Sequence, residues 1–321
     1  MKIIAIAVLL IALAMVLVTC STIIPCVHLL NEDEAAHGLA ALQALDTGKE
    51  NVVVAPHLSL TTRSVSEGWQ DTDIDIQIAL WLPTEITIKE QVFRKLTARG
   101  IDVHSVNPFS KQDRVAATRW LRQQMGVPLH TPPVELFPDY CLNIAATEKY
   151  SVNFRDNGTV YKGLFNNQLC PMIRFNKQQL LWQETTYFEA VLLQVSKEQS
   201  LCLILPKSGY SPDIFVQNLN PDILQHWLEQ FTLRKLVIDL PAWETSGISL
   251  FNLQDTGLTE ELTDKDLQPG KGVYGYSLSF QADTSSGGKE STLCDIAFSH
   301  PFLFVLMEKG HLEMLGVCRK I

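Results

Sequence analysis

The sequence predicts an α+β fold in which N-terminal helices pack on antiparallel sheets. Helix-like apolar spacing is concentrated early, strand-like apolar runs dominate the later half, and no βαβ alternation is evident. With 46% hydrophobic and 19% charged residues in 321, the chain can bury a sizeable core and is too apolar to be disordered. No internal repeat, low-complexity tract or long Pro/Ser/Gly linker divides it, so residues 23–321 are expected to form a single domain.

Residues 1–22 read as a secretory signal peptide. Lys2 is the only charge before Glu32, residues 3–18 are an unbroken apolar run, and the small residues Thr19, Cys20, Ser21 and Thr22 follow, placing cleavage near residues 20–22. The alternatives are an uncleaved anchor, which needs roughly 20 apolar residues, and lipidation at Cys20, for which Thr19 is a poor lead. Export would put Cys26, Cys141, Cys170, Cys202, Cys294 and Cys318 in an oxidising compartment. Their wide spacing and their place in apolar runs argue for one or two bridges at most. Asn157, in Asn-Gly-Thr, is the single glycosylation sequon.

Residues 33–45 predict a helix with Leu39, Leu42 and Leu45 at three-residue steps, ended by Asp46-Thr-Gly48 and followed by a buried strand at 52–54. Asn220 is a helix cap with Pro221 in the first turn, and Ile223, Leu224, Trp227, Leu228 and Phe231 make one apolar face. The runs 189–195 and 201–205 flank a hairpin turn, and 236–240 is a strand stopped by Pro241. The runs 302–307 and 312–318 enclose Glu308-Lys-Gly-His311 as the last hairpin.

Composition removes several functions. A net charge of −9, from 26 Lys+Arg against 35 Asp+Glu, argues against a nucleic-acid grip. There is no CxxC, HExxH or zinc-finger spacing, and neither a metal nor a cofactor is implied. Asp71-Thr-Asp73-Ile-Asp75 starts like a calcium loop but places Ile76 at the required glycine and Leu82 at the bidentate glutamate, so a solvated turn is the better reading. No GxSxG elbow occurs, so enzyme activity has no candidate site. Residues 85–122 hold eight basic residues against four acids. Arg94, Lys95 and Arg99 there form a candidate heparin-binding face, although an ordinary solvated helix face is favoured.

FSHPFLFVLMEKGHLEMLGVCRK, residues 298–320, resembles the closing hairpin of the serpins. HGLAALQALDTGKENVVVAPHLSL (37–60) is similar to the family's first helix and following strand, CPMIRF (170–175) to its VPMM turn, and LRKLVIDLPAW (233–243) to its VxLPKF strand. Asp264 to Leu267 resembles the stretch before the fifth strand of the large sheet. The resemblance implies a serpin-like fold. Matching Val106 to Phe109 to the VNF segment leaves little chain after 93–100, so the large sheet is expected to be reduced by a strand and a helix. With Phe154 in place of the family's tryptophan, Ala146 stands where a buried asparagine would be and Tyr274 where a buried histidine would be, so the polar switch that lets the large sheet open is expected to be lost.

Residues 280–302 resemble the end of the fifth strand, the reactive loop and the start of the closing hairpin. Thr284 replaces the hinge glycine, Ser285 fits the following threonine, and Gly287, Gly288, Lys289 and Glu290 replace the family's alanine run. Glycine weakens a strand and buried charges are costly there. Between Thr284 and Ile296 lie eleven residues, under half of the family's usual allowance, reaching roughly 36 Å fully extended. The resemblance therefore implies a secreted serpin-family protein, non-inhibitory or impaired in suicide inhibition, acting on an extracellular protein. Shortened serpins that some large DNA viruses secrete as modulators of host defence are similar in economy. Within this reading a short loop could still inhibit reversibly as an uncleaved substrate mimic, with Lys289 suited to a trypsin-like pocket or Leu293 to a chymotrypsin-like one. Two alternatives stay open, a functional serine protease inhibitor and a carrier of a small ligand or peptide.

Overall fold

Helix α1 (Glu32–Leu45) begins where Asn31 accepts from the backbone N–H of Asp33 and Glu34 at 3.1 and 3.3 Å. Three acids in its first turn suit the positive end of the helix dipole. The computed structural model describes residues 30–55, 74–84, 89–98, 100–107, 109–125, 141–153, 158–196, 198–252, 268–281 and 294–321. Leu39 and Leu42 of α1 are buried with Ala35, but Leu45 is 53% exposed. Three-residue steps fall short of the 3.6-residue turn, so by the third leucine the side chain has rotated off the buried face.

The remaining elements are β1 (Val52–Val54), β2 (Ile74–Pro83), α2 (Glu90–Ala98), β3 (Ile101–Val106), α3 (Lys111–Met125), β4 (Cys141–Asn153), β5 (Gly158–Phe165), β6 (Gln168–Glu184), β7 (Phe188–Gln194) and β8 (Gln199–Pro206), followed by α4 (Pro212–Asn218) and α5 (Pro221–Glu229). The chain closes with β9 (Thr232–Pro241), β10 (Trp243–Asn252), β11 (Gln268–Gln281), β12 (Ile296–Ala297), β13 (Phe302–Glu308) and β14 (His311–Cys318).

Among the described residues these strands form two sheets. One has nine strands in the order β1-β14-β13-β8-β7-β6-β9-β12, with β5 on β6; the other has five, β10-β11-β4-β2-β3. The strand assigned by resemblance as the fifth of the large sheet is β11, and it lies in the five-stranded sheet. Pairing is mostly antiparallel, but β12 runs parallel to β9, β11 to β4 and β2 to β3. The last pair corrects the expectation that no βαβ unit occurs: α2 connects two parallel strands and packs on β3. At nine residues it is shorter than the window over which helical spacing is read, although Val92, Phe93 and Leu96 stand at such spacing. Val106 closes β3, and Phe109, matched to the same strand by resemblance, is 71% exposed.

The central strands read as continuous apolar runs because both faces of the nine-stranded sheet are covered. Val53, Leu201, Leu203, Phe302, Phe304 and Leu306 face a core shared with Leu80, Tyr150, Tyr276, Leu278 and Phe280 of the five-stranded sheet. Their neighbours Val54, Cys202, Ile204, Leu303 and Val305 face a second core under α1, α4 and α5. Asn220 caps α5 by accepting from Ile223 N–H at 2.9 Å, and Leu224 and Leu228 are fully buried there. The β13–β14 turn places Lys309 and Gly310 at φ of 51° and 89°, the geometry that a two-residue hairpin of this twist needs. Arg319, just beyond β14, is buried and donates to Asp46 at 2.7 Å and Asp213 at 2.5 Å, fixing the chain's end to α1 and α4.

Phe304 lies fully buried between the two sheets. Phe304→Ala is expected to cost about 3–5 kcal/mol, measured as a lower urea midpoint at unchanged slope; a loss within about 1 kcal/mol would contradict this packing.

Candidate functional site

The residues expected to act lie where β11 ends. Strand β11 is hydrogen-bonded on both edges. It runs antiparallel to β10 from Trp243↔Phe280 to Asn252↔Lys271, and parallel to β4 from Gln268↔Cys141 to Gln281↔Asn153, with one irregularity between Pro269 and Gly272. No strand lies between β11 and β4. Helix α3 packs against both. Tyr274 and Ala146, assigned by resemblance to the lost polar switch, are direct cross-strand partners in this seam.

The described residues on either side of 282–293 join one aromatic cluster. Phe280, the penultimate residue of β11, stacks on Trp243 at 6.2 Å and 9°. Trp243 also meets Phe304 at 4.8 Å and Phe302 edge-on at 5.8 Å. Phe302 in turn meets Phe298, four residues past the returning Cys294, at 5.3 Å and 84°. These rings are 4% exposed or less. Such pairs contribute about 0.5–1.5 kcal/mol each beyond area burial.

The returning end is held by a polar clamp. Asp295 accepts from Val237 N–H at 2.7 Å and donates its own N–H to Val237 O at 2.8 Å. Asp239 on β9 takes both Nε and Nη2 of Arg174 at 2.7 Å, and that guanidinium lies 5.0 Å from the centre of the Tyr161 ring. Burial works to raise the Asp239 carboxyl, but the hydrogen bonds from Arg174, Tyr161 and Cys294 outweigh it and hold it below its ordinary range. The Arg174 guanidinium is correspondingly raised, first by its bond to Asp239. Burial, then the Asp239 charge, pushes the Cys294 thiol up to about 12. This keeps it a protonated donor, to Ile296 O at 3.0 Å, and a poor nucleophile. Cys170, Cys202, Cys294 and Cys318 are all free thiols.

Thr284, Ser285, Gly287, Gly288, Lys289, Glu290 and Leu293, together with Asn157, lie outside the described residues. Of the basic trio, Arg94 is exposed on α2 and paired with Glu90 at 2.6 Å, Lys95 sits one residue on, and Arg99 lies outside the described residues. Sequence reasoning missed the ring cluster and the Arg174–Asp239 pair. The alternation Tyr276, Leu278, Phe280 was a legible signal of one buried face; the pairing of Arg174 with a residue 65 positions away was not.

No protein-family model and no curated protein matches the sequence. Solved structures do. SRPN18 from Anopheles gambiae is similar at 13% identity and a TM-score of 0.62, over 90% of this chain and 98% of that one. Native protease nexin-1, solved with heparin, is similar at 12% and 0.61, over 90% and 99%. Serpin48, described as a highly specific serpin in the insect Tenebrio molitor, is similar at 12% and 0.61, over 91% and 97%. At this identity the likeness is one of architecture: the chain has the serpin fold. Among the described residues no helix is long and apolar enough to cross a membrane.

Two outcomes follow for the clamp. Cys294 is expected to react with iodoacetamide at pH 8 roughly a thousandfold more slowly than an exposed thiol; a comparable rate would contradict it. Because the folded Asp239 carboxyl is depressed, its stabilisation is present above the unfolded value of about 3.9 and is lost as pH falls through the folded value. The drop in urea midpoint between pH 7 and pH 3 should therefore shrink in Asp239→Asn.

Proposed function

We propose that this serpin-fold chain is a secreted extracellular binding protein that does not complete suicide inhibition. The observation that carries the reading is the length of chain between the seam and the returning strand. Residues 282–293 are the twelve that join the end of β11 to Cys294. A cut at Lys289 would leave 282–289 to enter the seam, and eight residues span about 26 Å. Strand β11 alone has 14 residues, about 46 Å at the same rise, so the cleaved piece covers little more than half of it before any turn is made.

Composition adds to the shortage. Gly287 and Gly288 weaken strand formation, and Lys289 would enter a sheet whose β11 edge is buried from 275 to 278. The direct β11–β4 pairing supports the same reading, since an incoming strand must first break it.

The anchored loop ends favour one further possibility within this reading. The flanks of this short segment are fixed at Phe280 and Phe298, and fixed ends lower the ordering cost of lying reversibly in a protease cleft as an uncleaved substrate mimic. Lys289 would present to a trypsin-like pocket and Leu293 to a chymotrypsin-like one.

The test is incubation of the purified protein with trypsin-, chymotrypsin- and elastase-like proteases, followed by a denaturing gel. The expected result is intact protein or cleavage products, with any inhibition relieved by dilution. A denaturant-stable band at the combined mass would overturn the reading and establish suicide inhibition.

A further inference from the structure

Beside the Tyr274–Ala146 position, two buried tyrosines stand on opposite sides of the β11–β4 seam. Tyr276 of β11 and Tyr150 of β4 are 0% and 4% exposed. Tyr276 pairs with Glu148 and Tyr150 with Leu278, so the two lie two residues apart along the seam. Each crosses to the other sheet. The Tyr276 hydroxyl donates to Val53 O at 3.1 Å, and the Tyr150 hydroxyl donates to Glu313 Oε2 at 2.9 Å. Val53 belongs to β1 and Glu313 to β14, which pair with each other. Both flanks of the seam are therefore tied to one two-stranded ribbon.

The sequence makes room for this at a specific place. A Cβ at Gly247 of β10 would stand 2.5 Å from the Tyr276 ring, so the ring crosses β10 only because that position is glycine. Buried hydroxyls with a satisfied partner oppose motion more than their net stabilisation suggests, because parting them leaves polar atoms in an apolar core.

We infer that Tyr276 and Tyr150 form a latch that holds the β11–β4 seam shut against strand entry, in place of the polar pair that Tyr274 and Ala146 cannot make. The inference rests on the reading of this seam as closed, and not on the shortness of the loop. Parting β11 from β4 requires at least one strand to move relative to the β1–β14 ribbon, and so requires at least one of the two hydrogen bonds to break. The tyrosines are positioning residues; they touch no partner protein.

A fluorescein-labelled Thr/Ala peptide as long as β11 serves as the probe, added without protease to the full chain and to Tyr150→Phe, Tyr276→Phe and the double variant. Uptake is followed by native gel, and amide exchange is measured on β4, β11 and, as a remote control, the β7–β8 hairpin. The double variant is expected to take up peptide roughly tenfold faster or more, with exchange raised on β4 and β11 and unchanged on β7–β8. Uptake equal to that of the unaltered chain, or exchange raised equally everywhere, would overturn the latch. Gly247→Ala displaces the Tyr276 ring without removing its hydroxyl and must act in the same direction should the double variant fail to fold. The protease gel tests the binding reading and peptide uptake by the tyrosine variants tests the latch, so the two fail on separate measurements.

Discussion

The two-sided pairing of β11 is the constraint on which the rest depends. From Gly272 to Phe280 the strand is paired with β10 on one edge and with β4 on the other, so a strand entering between β11 and β4 must replace the hydrogen bonds it breaks. The same strand delivers the loop. Its last inward ring, Phe280, is stacked on Trp243, and the chain returns to that same cluster through Phe298 and Phe302. The loop's reach is set by the separation of two fixed points and by the twelve residues between them.

Beneath this, the cores of the two sheets are one. Phe304, Phe302 and Leu306 from the nine-stranded sheet pack with Tyr276, Leu278 and Phe280 from the five-stranded one. Opening the seam therefore disturbs more than a ladder of backbone bonds. It disturbs packing shared with the closing hairpin, whose outer face is in turn covered by α1 and fastened through Arg319 to Asp46 and Asp213. Close-packed interiors move between discrete arrangements and do not deform continuously, so parting the seam would require this shared packing to rearrange as well.

Much of this was legible in the sequence where the signal was local. The closing hairpin could be read from its apolar runs and the Lys309-Gly310 turn, and α5 from Asn220, Pro221 and its apolar face. Tyr274 and Ala146, singled out by resemblance, stand opposite each other in the β11–β4 register. What could not be read was long-range. Arg174 finds Asp239, Tyr150 finds Glu313 and Tyr276 finds Val53 across 65, 163 and 223 positions, and nothing in local spacing marks such partners. The βαβ unit of β2, α2 and β3 escaped because its helix has nine residues and its second strand six, too few for either pattern to stand out.

Whether residues 282–293 have the length and the opening to become a strand is tested most directly by comparing thermal unfolding before and after the chain is nicked within them. The account predicts that the nicked protein melts at the same temperature as the intact one or below it, since the cut frees a loop and adds no strand. A rise of more than about 10 °C on nicking would mean that the cleaved segment had entered the sheet, and would contradict the account.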